Sequence, residues 1–357
     1  MICQKSLQKS AKTDTKAATS MANGTTTHAT SLNEEKGILT SHSRWLFKRI
    51  LAFIALAGPD LMLAVVMTLV LLVTIIFAGG HIRFFQASLG LPVGITLTLI
   101  IYHSILARFR PEERKLPHHI LRDWLPFLLV TFIYENLHDL SKLFYKHDFA
   151  GVFYHWDIAI FGVEPTIWAQ KIYSPILTDI MAFCYALYFV FPLVLMFFLS
   201  HEDRRSEFRE MALAVTFTFL MGFIGYVAWP TSPPRYFITE LYTNPHVLHG
   251  PYIFDRLQSA WDSLSVVPCG AFPSLHVGIS AVALFFAWKF RSINRIFGTI
   301  WLIYIPLVLG LWFSTVYLRH HWVIDIFAGL FVAGVAYALS EYVLKAWHGF
   351  RARYDIR

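Results

Sequence analysis

The chain has 357 residues, of which 56% are hydrophobic and only 15% charged, with 32 Phe and 11 Trp. Several apolar runs approach the roughly 20 residues that cross a bilayer, so the composition excludes a soluble globular enzyme. The net charge of +7 has a topological explanation given below, and no nucleic-acid binding is expected. The sequence predicts an all-α integral membrane protein.

The chain is predicted to have four regions. Residues 1–45 are rich in Ser, Thr, Ala and Lys without apolar periodicity, which predicts a disordered cytoplasmic tail. The first apolar run begins near Ile50 and is too long for the core of a secretory signal. Two membrane spans are expected within 46–123, a six-span catalytic domain within 124–346, and a basic cytoplasmic tail at 347–357.

About eight transmembrane helices are predicted from the apolar runs. Their approximate ranges are 52–78, 91–107, 124–141, 176–199, 210–229, 273–290, 297–314 and 322–345. With eight spans, 23 of the 30 Lys and Arg residues fall on one side of the membrane and 7 on the other. The positive-inside rule then places both termini in the cytoplasm.

Two long segments, 142–175 and 230–272, then fall on the non-cytoplasmic side. The first is rich in aromatic residues, which suits the membrane interface. The second has apolar residues at helical spacing between 253 and 264, which predicts a short helix lying on the membrane. A connection this long in a compact membrane protein is usually functional.

Three polar clusters are expected on this outer side, at Pro230–Arg235, Cys269–Gly278 and Tyr317–Asp325. The spans that follow the second and third clusters both start outside, so two helix N-termini with unpaired N–H groups meet there. Together with histidines and arginines, they favour a phosphate site. The sequence has neither a Gly-rich phosphate loop nor a carboxylate pair for glycoside chemistry there. The expected phosphoryl chemistry needs no metal and no other cofactor.

Ionisable groups at membrane depth are costly, so those beside the last span are candidate functional residues. His321 and Asp325 are four residues apart and share one helical face. Asp325 would accept a hydrogen bond from one imidazole nitrogen and leave the other free to attack phosphorus. His276 would protonate the leaving oxygen and then deprotonate the acceptor hydroxyl. Arg235, with Arg319 as a second candidate, would neutralise the phosphate oxygens.

Structural alternatives apply to several polar residues. Arg319 could reach lipid headgroups, and His320 is either a substrate contact or a packed neighbour of the site. Glu135 and His138 have the spacing of a diiron ligand pair, but a second pair is missing from the sequence. For these two and for Asp139, interhelical hydrogen bonding is favoured, with headgroup contact second. The same structural role is expected of three further residues, Asp60, His103 and Asp179.

Phe272-Pro273-Ser274-Leu275-His276 resembles the second motif of the type 2 phosphatidic acid phosphatases, and Ser314 to Asp325 resembles the third. In the third motif a Ser stands seven residues before the His and an Asp four after it. Pro233-Pro234-Arg235 and the doubled His320-His321 resemble the branch of fungal inositol phosphorylceramide synthase and bacterial inositolphosphotransferase-like proteins. The resemblance covers roughly residues 125–345.

This resemblance implies a six-helix core like that of the phosphatidic acid phosphatases, preceded here by two further spans. It also implies that His321 is the nucleophile, His276 the acid and base, and Asp325 the orienting carboxylate. Ser274 and His320 join Arg235 and Arg319 among the expected substrate contacts.

Two departures from the phosphatase pattern matter. The phosphatase third motif has Arg directly after its Ser, where this chain has Thr315. The first motif has a Lys and a Pro at positions that are Ala228 and Tyr236 here. These differences argue against a phosphatase of soluble substrates and fit a lipid headgroup transferase, in which Arg319 would supply a displaced phosphate contact.

The expected function is transfer of a phosphorylated headgroup, such as phosphoinositol, from a glycerophospholipid donor to a hydroxyl of an acceptor lipid such as ceramide or diacylglycerol. A histidine-bound intermediate is predicted. Hydrolysis of a lipid phosphate or polyprenyl pyrophosphate is the alternative. A non-catalytic lipid transporter is more distant, because the late spans are nearly all apolar. The site would face the non-cytoplasmic side of a bacterial plasma membrane or a eukaryotic Golgi-type membrane.

Overall fold

The structure is a computed structural model that describes residues 45–77 with gaps at 48, 52 and 56, and isolated positions at 97, 101 and 105. It further describes residues 117–144, 147–243, 245–264 and 269–353. The predicted tail up to residue 44, most of the second predicted span and residues 354–357 lie outside the described residues. Two compact units divide the chain at Leu56. The described positions of the first unit are helical, and all that follows concerns the second.

Within the described part of the second unit, regular structure is helical apart from one isolated β-bridge at Thr231 and Gly270. In chain order the α-helices are α1 (Ala57–Phe77), α2 (Pro117–Phe144), α3 (Ala150–Phe161), α4 (Pro165–Ala169), α5 (Pro175–Ala186), α6 (Val190–His201), α7 (Arg205–Ala228), α8 (Pro234–Phe237), α9 (Phe254–Leu264), α10 (Leu275–Phe290), α11 (Arg295–Tyr317) and α12 (Val323–Arg353).

Four of the described helices, α1, α7, α11 and α12, are long and apolar enough to cross a bilayer. The bent pair of α5 and α6 would add a fifth if it is one span, with an angle of 45° at the break. α10 has 16 residues, or ~24 Å of helix against a hydrocarbon thickness of ~30 Å. The predicted class, an all-α membrane protein, is confirmed, whereas the count of eight spans and the domain boundaries stay predictions.

α2 coincides with the third predicted span, although it is not among the four long apolar helices of the described chain. The side chains of Glu135, His138 and Asp139 on this helix lie outside the described residues. Their expected role in hydrogen bonding between helices therefore stays a prediction.

Helices α7, α10, α11 and α12 form the centre of the bundle, with α5 packed on α11 and α2 on α7. Small residues allow the closest contacts. A Cβ atom on Gly329 of α12 would lie 2.6 Å from the carbonyl oxygen of Ser274, so only glycine permits this approach. The packing brings the start of α10 against the first turns of α12, which is where the second and third polar clusters lie.

The short helix predicted between 253 and 264 is present as α9, but its apolar residues are used differently from the prediction. Leu257 and Trp261 pack against a protein cluster that includes Tyr185. The carboxylate of Asp179 on α5 accepts hydrogen bonds of 2.8–3.0 Å from the backbone N–H groups of residues 252–254. The apolar side of α9 and the residues at its start are thus bound to the helical bundle. That side is not left free to lie on the membrane.

Candidate active site

Main-chain hydrogen bonds hold the three predicted polar clusters together. The first cluster pairs with the second through the β-bridge at Thr231. The second is joined to the third because Ser274 N–H donates to the carbonyl of Asp325 at 3.1 Å. The first is joined to the third because Arg235 N–H donates to the carbonyl of Arg319 at 3.0 Å. The three segments therefore form one site despite their separation in sequence.

His321 is oriented by two acceptors on one side of its ring. Its Nδ1 lies 2.9 Å from the carbonyl oxygen of Ala271 and 3.3 Å from Oδ2 of Asp325. A carbonyl oxygen can only accept a hydrogen bond, so Nδ1 carries the proton and the Nε2 lone pair is free. Nε2 lies 3.4 Å from Nδ1 of His276. This is the tautomer and orientation that a nucleophilic His321 requires.

The carboxylate of Asp325 is completely buried at the start of α12. Besides facing His321, Oδ2 accepts a hydrogen bond of 2.9 Å from the backbone N–H of Trp322. This local bond fixes the carboxylate relative to the loop that bears the histidine. Asp325 thereby links the first turn of the helix to the imidazole four residues earlier.

Asp157 on α3 caps the helix that carries Asp325. Its fully buried carboxylate accepts hydrogen bonds from the backbone N–H groups of Val323 at 2.7 Å and Ile324 at 3.1 Å. Burial raises the pKa of Asp157 above its usual value, and the two N–H donors offset only part of this rise. Sequence reasoning missed this role, although Asp157 is the one charged residue of α3, which was a usable signal.

Aromatic rings enclose the histidines. Tyr185 of α5 is stacked between His276 and His320, with ring centroids 4.2 and 4.6 Å away. Tyr188, at the break after α5, covers His276 at 4.1 Å, and Trp261 of α9 meets His320 edge-on at 5.6 Å. These rings hold the imidazoles in place and exclude water. Nothing in the spacing of the 16 tyrosines distinguished these two in the sequence.

His320 and Arg235 also have polar groups without hydrogen-bond partners in the described part of the site. Nε2 of His320 is buried with no hydrogen-bond partner in the described chain. Burial, and then the positive charge of Arg235, hold the pKa of His320 well below its usual value, so the ring is neutral. Nε and Nη1 of Arg235 are buried without well-aligned hydrogen bonds, although Nη1 is 3.1 Å from the half-exposed carboxylate of Asp262. The guanidinium therefore has N–H groups left to donate, and the phosphate contact expected of Arg235 stays a prediction.

The guanidinium of Arg319 is bound to protein groups in the structure. Its backbone adopts the left-handed conformation, with φ of 63°, which is uncommon for a non-glycine residue. Its guanidinium donates to the carbonyl oxygens of His246 at 2.7 Å and Pro245 at 2.8 Å and stacks over Tyr242 at 3.7 Å. The side chain thus links the histidine loop to the segment between α8 and α9, and its expected phosphate contact stays a prediction.

Ser274 and Thr315 act on the backbone of the site. The hydroxyl of Ser274 accepts a bond of 3.4 Å from the N–H of Val277 and caps α10, while its proton can still be donated. The carbonyl of Thr315 accepts the N–H groups of His320 and His321 at 2.9 and 3.0 Å. The position that is Arg in the phosphatase motif thus shapes the histidine loop without contributing charge.

Comparisons with known proteins identify the family of the chain. Residues 159–339, about half of the chain, match the PAP2 superfamily. The phosphoinositol dihydroceramide synthase of Bacteroides thetaiotaomicron is 28% identical over 166 residues, which cover 44% of this chain and 53% of that protein. The catalytic subunit of inositol phosphorylceramide synthase from Saccharomyces cerevisiae is 33% identical over 135 residues, covering 34% of this chain and 32% of its own.

The inositol phosphorylceramide synthase of Candida albicans is 27% identical over 168 residues, covering 44% of this chain and 34% of its own. The chain thus spans about a third to about half of the length of these curated relatives. No solved structure shows a significant match. The relatives carry the names of the branch that the motifs resemble, and the family match includes both histidines. The chain belongs to the PAP2 superfamily.

Proposed function

We propose that this protein is a membrane lipid phosphotransferase that moves a phosphorylated headgroup from a glycerophospholipid to a hydroxyl of a second lipid. One observation carries the proposal. The proton on Nδ1 of His321 is held by Ala271 and Asp325, which leaves Nε2 free and facing His276. The names of the relatives support phosphoinositol as the headgroup and a ceramide as the acceptor.

In the first proposed step, Nε2 of His321 attacks the phosphorus of the donor lipid. A nitrogen–phosphorus bond forms and the bond from phosphorus to the diacylglycerol oxygen breaks. His276 enters this step as an imidazolium and donates a proton to that oxygen, so neutral diacylglycerol leaves and His276 becomes neutral. Asp325 stabilises the positive charge that develops on the His321 ring. The headgroup remains attached to His321 through its phosphate.

In the second proposed step, the acceptor lipid takes the place of diacylglycerol. His276, now neutral, removes the proton from the acceptor hydroxyl, and the oxygen attacks phosphorus. The new oxygen–phosphorus bond forms as the bond to His321 breaks, which restores both rings. Arg235 would balance the charge on the phosphate oxygens, with the Ser274 hydroxyl and the first N–H groups of α10 beside it.

The distance between the two histidines has a consequence for substrate binding. His321 Nε2 and His276 Nδ1 are 3.4 Å apart, close enough to hydrogen-bond directly. An attacking distance of about 3 Å to phosphorus, followed by a hydrogen bond of about 3 Å from the leaving oxygen, needs roughly 6 Å or more. A phosphate that binds between the two rings must therefore displace this contact.

The proposed orientation follows from the distribution of basic residues. We infer that both termini lie in the cytoplasm and that the histidine site opens on the other side. The proposed catalytic domain is the six-span region 124–346, preceded by the two spans predicted within 46–123.

The test uses the full-length protein purified in detergent, with phosphatidylinositol labelled in its inositol ring, with and without ceramide. His321→Ala should abolish transfer and His276→Ala should slow it by about 10²–10⁴-fold, which is the usual contribution of proton transfer. His249→Ala is the matched control, because His249 lies in the same outer segment with 67% of its side chain exposed. It should transfer at the rate of the unmodified protein.

Omitting ceramide distinguishes transfer from hydrolysis. With phosphatidylinositol alone, label should become bound to the protein through an acid-labile bond and should be missing from His321→Ala. Steady release of inositol phosphate without an acceptor would favour the hydrolase alternative. Full transfer by His321→Ala would refute the histidine mechanism.

A further inference from the structure

A cavity lies at the other end of the bundle from the histidines, where α7 begins and α12 ends. The stretch of α12 from Asp325 to Trp347 measures ~33 Å at about 1.5 Å per residue, so the cavity lies about one hydrocarbon thickness from the histidines. Its volume is about 240 Å³. Polar and basic side chains dominate the lining, which consists of Arg205, Ser206, Arg209, Leu344, Trp347, His348 and Arg351.

A network of ion pairs holds the arginines of this cavity in place. Completely buried Asp60 contacts Arg122 at 2.7 Å and Arg209 at 3.5 Å, which agrees with the structural role expected of Asp60. Asp123 contacts Arg205 at 2.9 Å and Arg122 at 3.0 Å. Three arginines thus share two carboxylates and leave one positive charge in excess. Arg351 and His348 of α12 line the same cavity.

Two donors at this cavity favour an anionic ligand. Nε of Arg209 and the indole Nε1 of Trp347 are buried and have no hydrogen-bond partner in the described chain. Leaving a buried donor unpaired costs free energy that an acceptor group would recover. Trp347 also packs against Phe350, with ring centroids 5.6 Å apart, and such aromatic pairs with a polar edge suit a membrane interface.

We propose that this cavity binds the phosphate of an anionic phospholipid headgroup at the membrane surface opposite the histidine site. Basic cavities between membrane helices suit such headgroups, and the guanidinium groups of Arg205 and Arg209 line this one, a group type that binds phosphate oxygens well. Leu344 and the exposed apolar face of α12 favour a lipid over free phosphate, since acyl chains can lie along that face. The positive-inside rule alone accounts for an excess of basic residues on the predicted cytoplasmic side. It does not account for buried, unpaired donors around a cavity.

The test is native mass spectrometry of the full-length protein in neutral detergent, titrated separately with phosphatidylglycerol and phosphatidylcholine. His348→Gln/Arg351→Gln should weaken phosphatidylglycerol binding at least about tenfold and leave phosphatidylcholine unchanged. Arg353→Gln is the control, because Arg353 is an exposed arginine of the same helix end that does not line the cavity. Ser206→Glu, at an exposed position in the first turn of α7, should weaken binding by repulsion while suiting the helix dipole.

The outcomes separate this site from the histidine site and one ligand source from another. His321→Ala should keep its preference for phosphatidylglycerol, since the two sites lie at opposite ends of the bundle. Displacement of phosphatidylglycerol by inorganic phosphate at matched concentration would overturn the assignment to a lipid. Equal binding of both lipids, or equal weakening by Arg353→Gln and the double variant, would overturn the site itself.

Discussion

Replacing Asp157 by Asn tests how the nucleophile is positioned from outside its own segment. The carboxylate caps α12 through Val323 N–H at 2.7 Å and Ile324 N–H at 3.1 Å and is completely buried. Asn keeps one acceptor oxygen and turns an NH₂ group towards the other N–H. A hydrogen bond to a charged group contributes about 1.5–3 kcal/mol, so the loss of one predicts about 2 kcal/mol of destabilisation.

The effect on activity should exceed the effect on substrate binding. The first turn of α12 also holds Asp325, so its displacement moves the carboxylate that orients His321. Misplacement by about 1 Å can cost about 10²-fold in rate. We expect kcat for phosphoinositol transfer to fall about 10–100-fold in Asp157→Asn with KM nearly unchanged, because Asp157 contacts the helix and not the substrate.

Asp255→Asn is the matched control. Asp255 lies at the start of α9, accepts one backbone bond from Gly250 at 3.2 Å and has 57% of its side chain exposed. Its replacement should leave kcat unchanged and cost well under 1 kcal/mol. Thermal unfolding and steady-state transfer are measured on both variants. Wild-type kcat in Asp157→Asn, whatever its stability, would refute the positioning role.

Three further predictions concern the walls of the site. Asp262 competes with the substrate phosphate for Arg235 through a half-exposed ion pair worth up to about 1 kcal/mol. Asp262→Asn should therefore lower KM for phosphatidylinositol up to about fivefold. An unchanged KM would show that the two groups do not compete. The pKa of His320 lies well below 6.5 in the folded chain, so below pH 6.5 unfolding takes up a proton and stability falls. His320→Gln should therefore reduce the drop in unfolding free energy between pH 6.5 and 5.5 by about 1 kcal/mol, and an identical drop would exclude His320 as the cause. Arg319→Lys should lose the forked contacts to two carbonyls and lower both stability and kcat, whereas a large rise in KM alone would restore Arg319 as a phosphate contact.

Local patterns in the sequence predicted much of the molecule. Apolar runs located α7, α10, α11 and α12, because lipid demands continuous apolar helices. The spacing of four residues predicted that Asp325 faces His321, since i and i+4 positions are neighbours on any helix. Helix N-termini beside Ser274 and Trp322 followed from the topology. Each of these inferences needs only one segment or the alternation of segments across a membrane.

Contacts between distant segments could not be predicted in the same way. Asp157 and Val323 are 166 residues apart, and nothing local in either segment indicates the partner. The contacts of Arg319 depend on a backbone φ of 63°, which nothing local in the sequence indicates and which directs the chain differently from a helical or extended residue. The stacking of Tyr185 between His276 and His320 likewise depends on tertiary packing alone.

The bend of 45° between α5 and α6 has a mechanical consequence. Tyr185 lies just before the bend and Tyr188 within it, and Asp179 on the same helix fastens the first turn of α9. Rotation of α5 about the bend would therefore move Tyr185, which is stacked between His276 and His320, together with α9, which carries Trp261 and Asp262. Because Asp262 also pairs with Arg235, a shift of α5 would change the enclosure of the histidines and the ion pair of that guanidinium together.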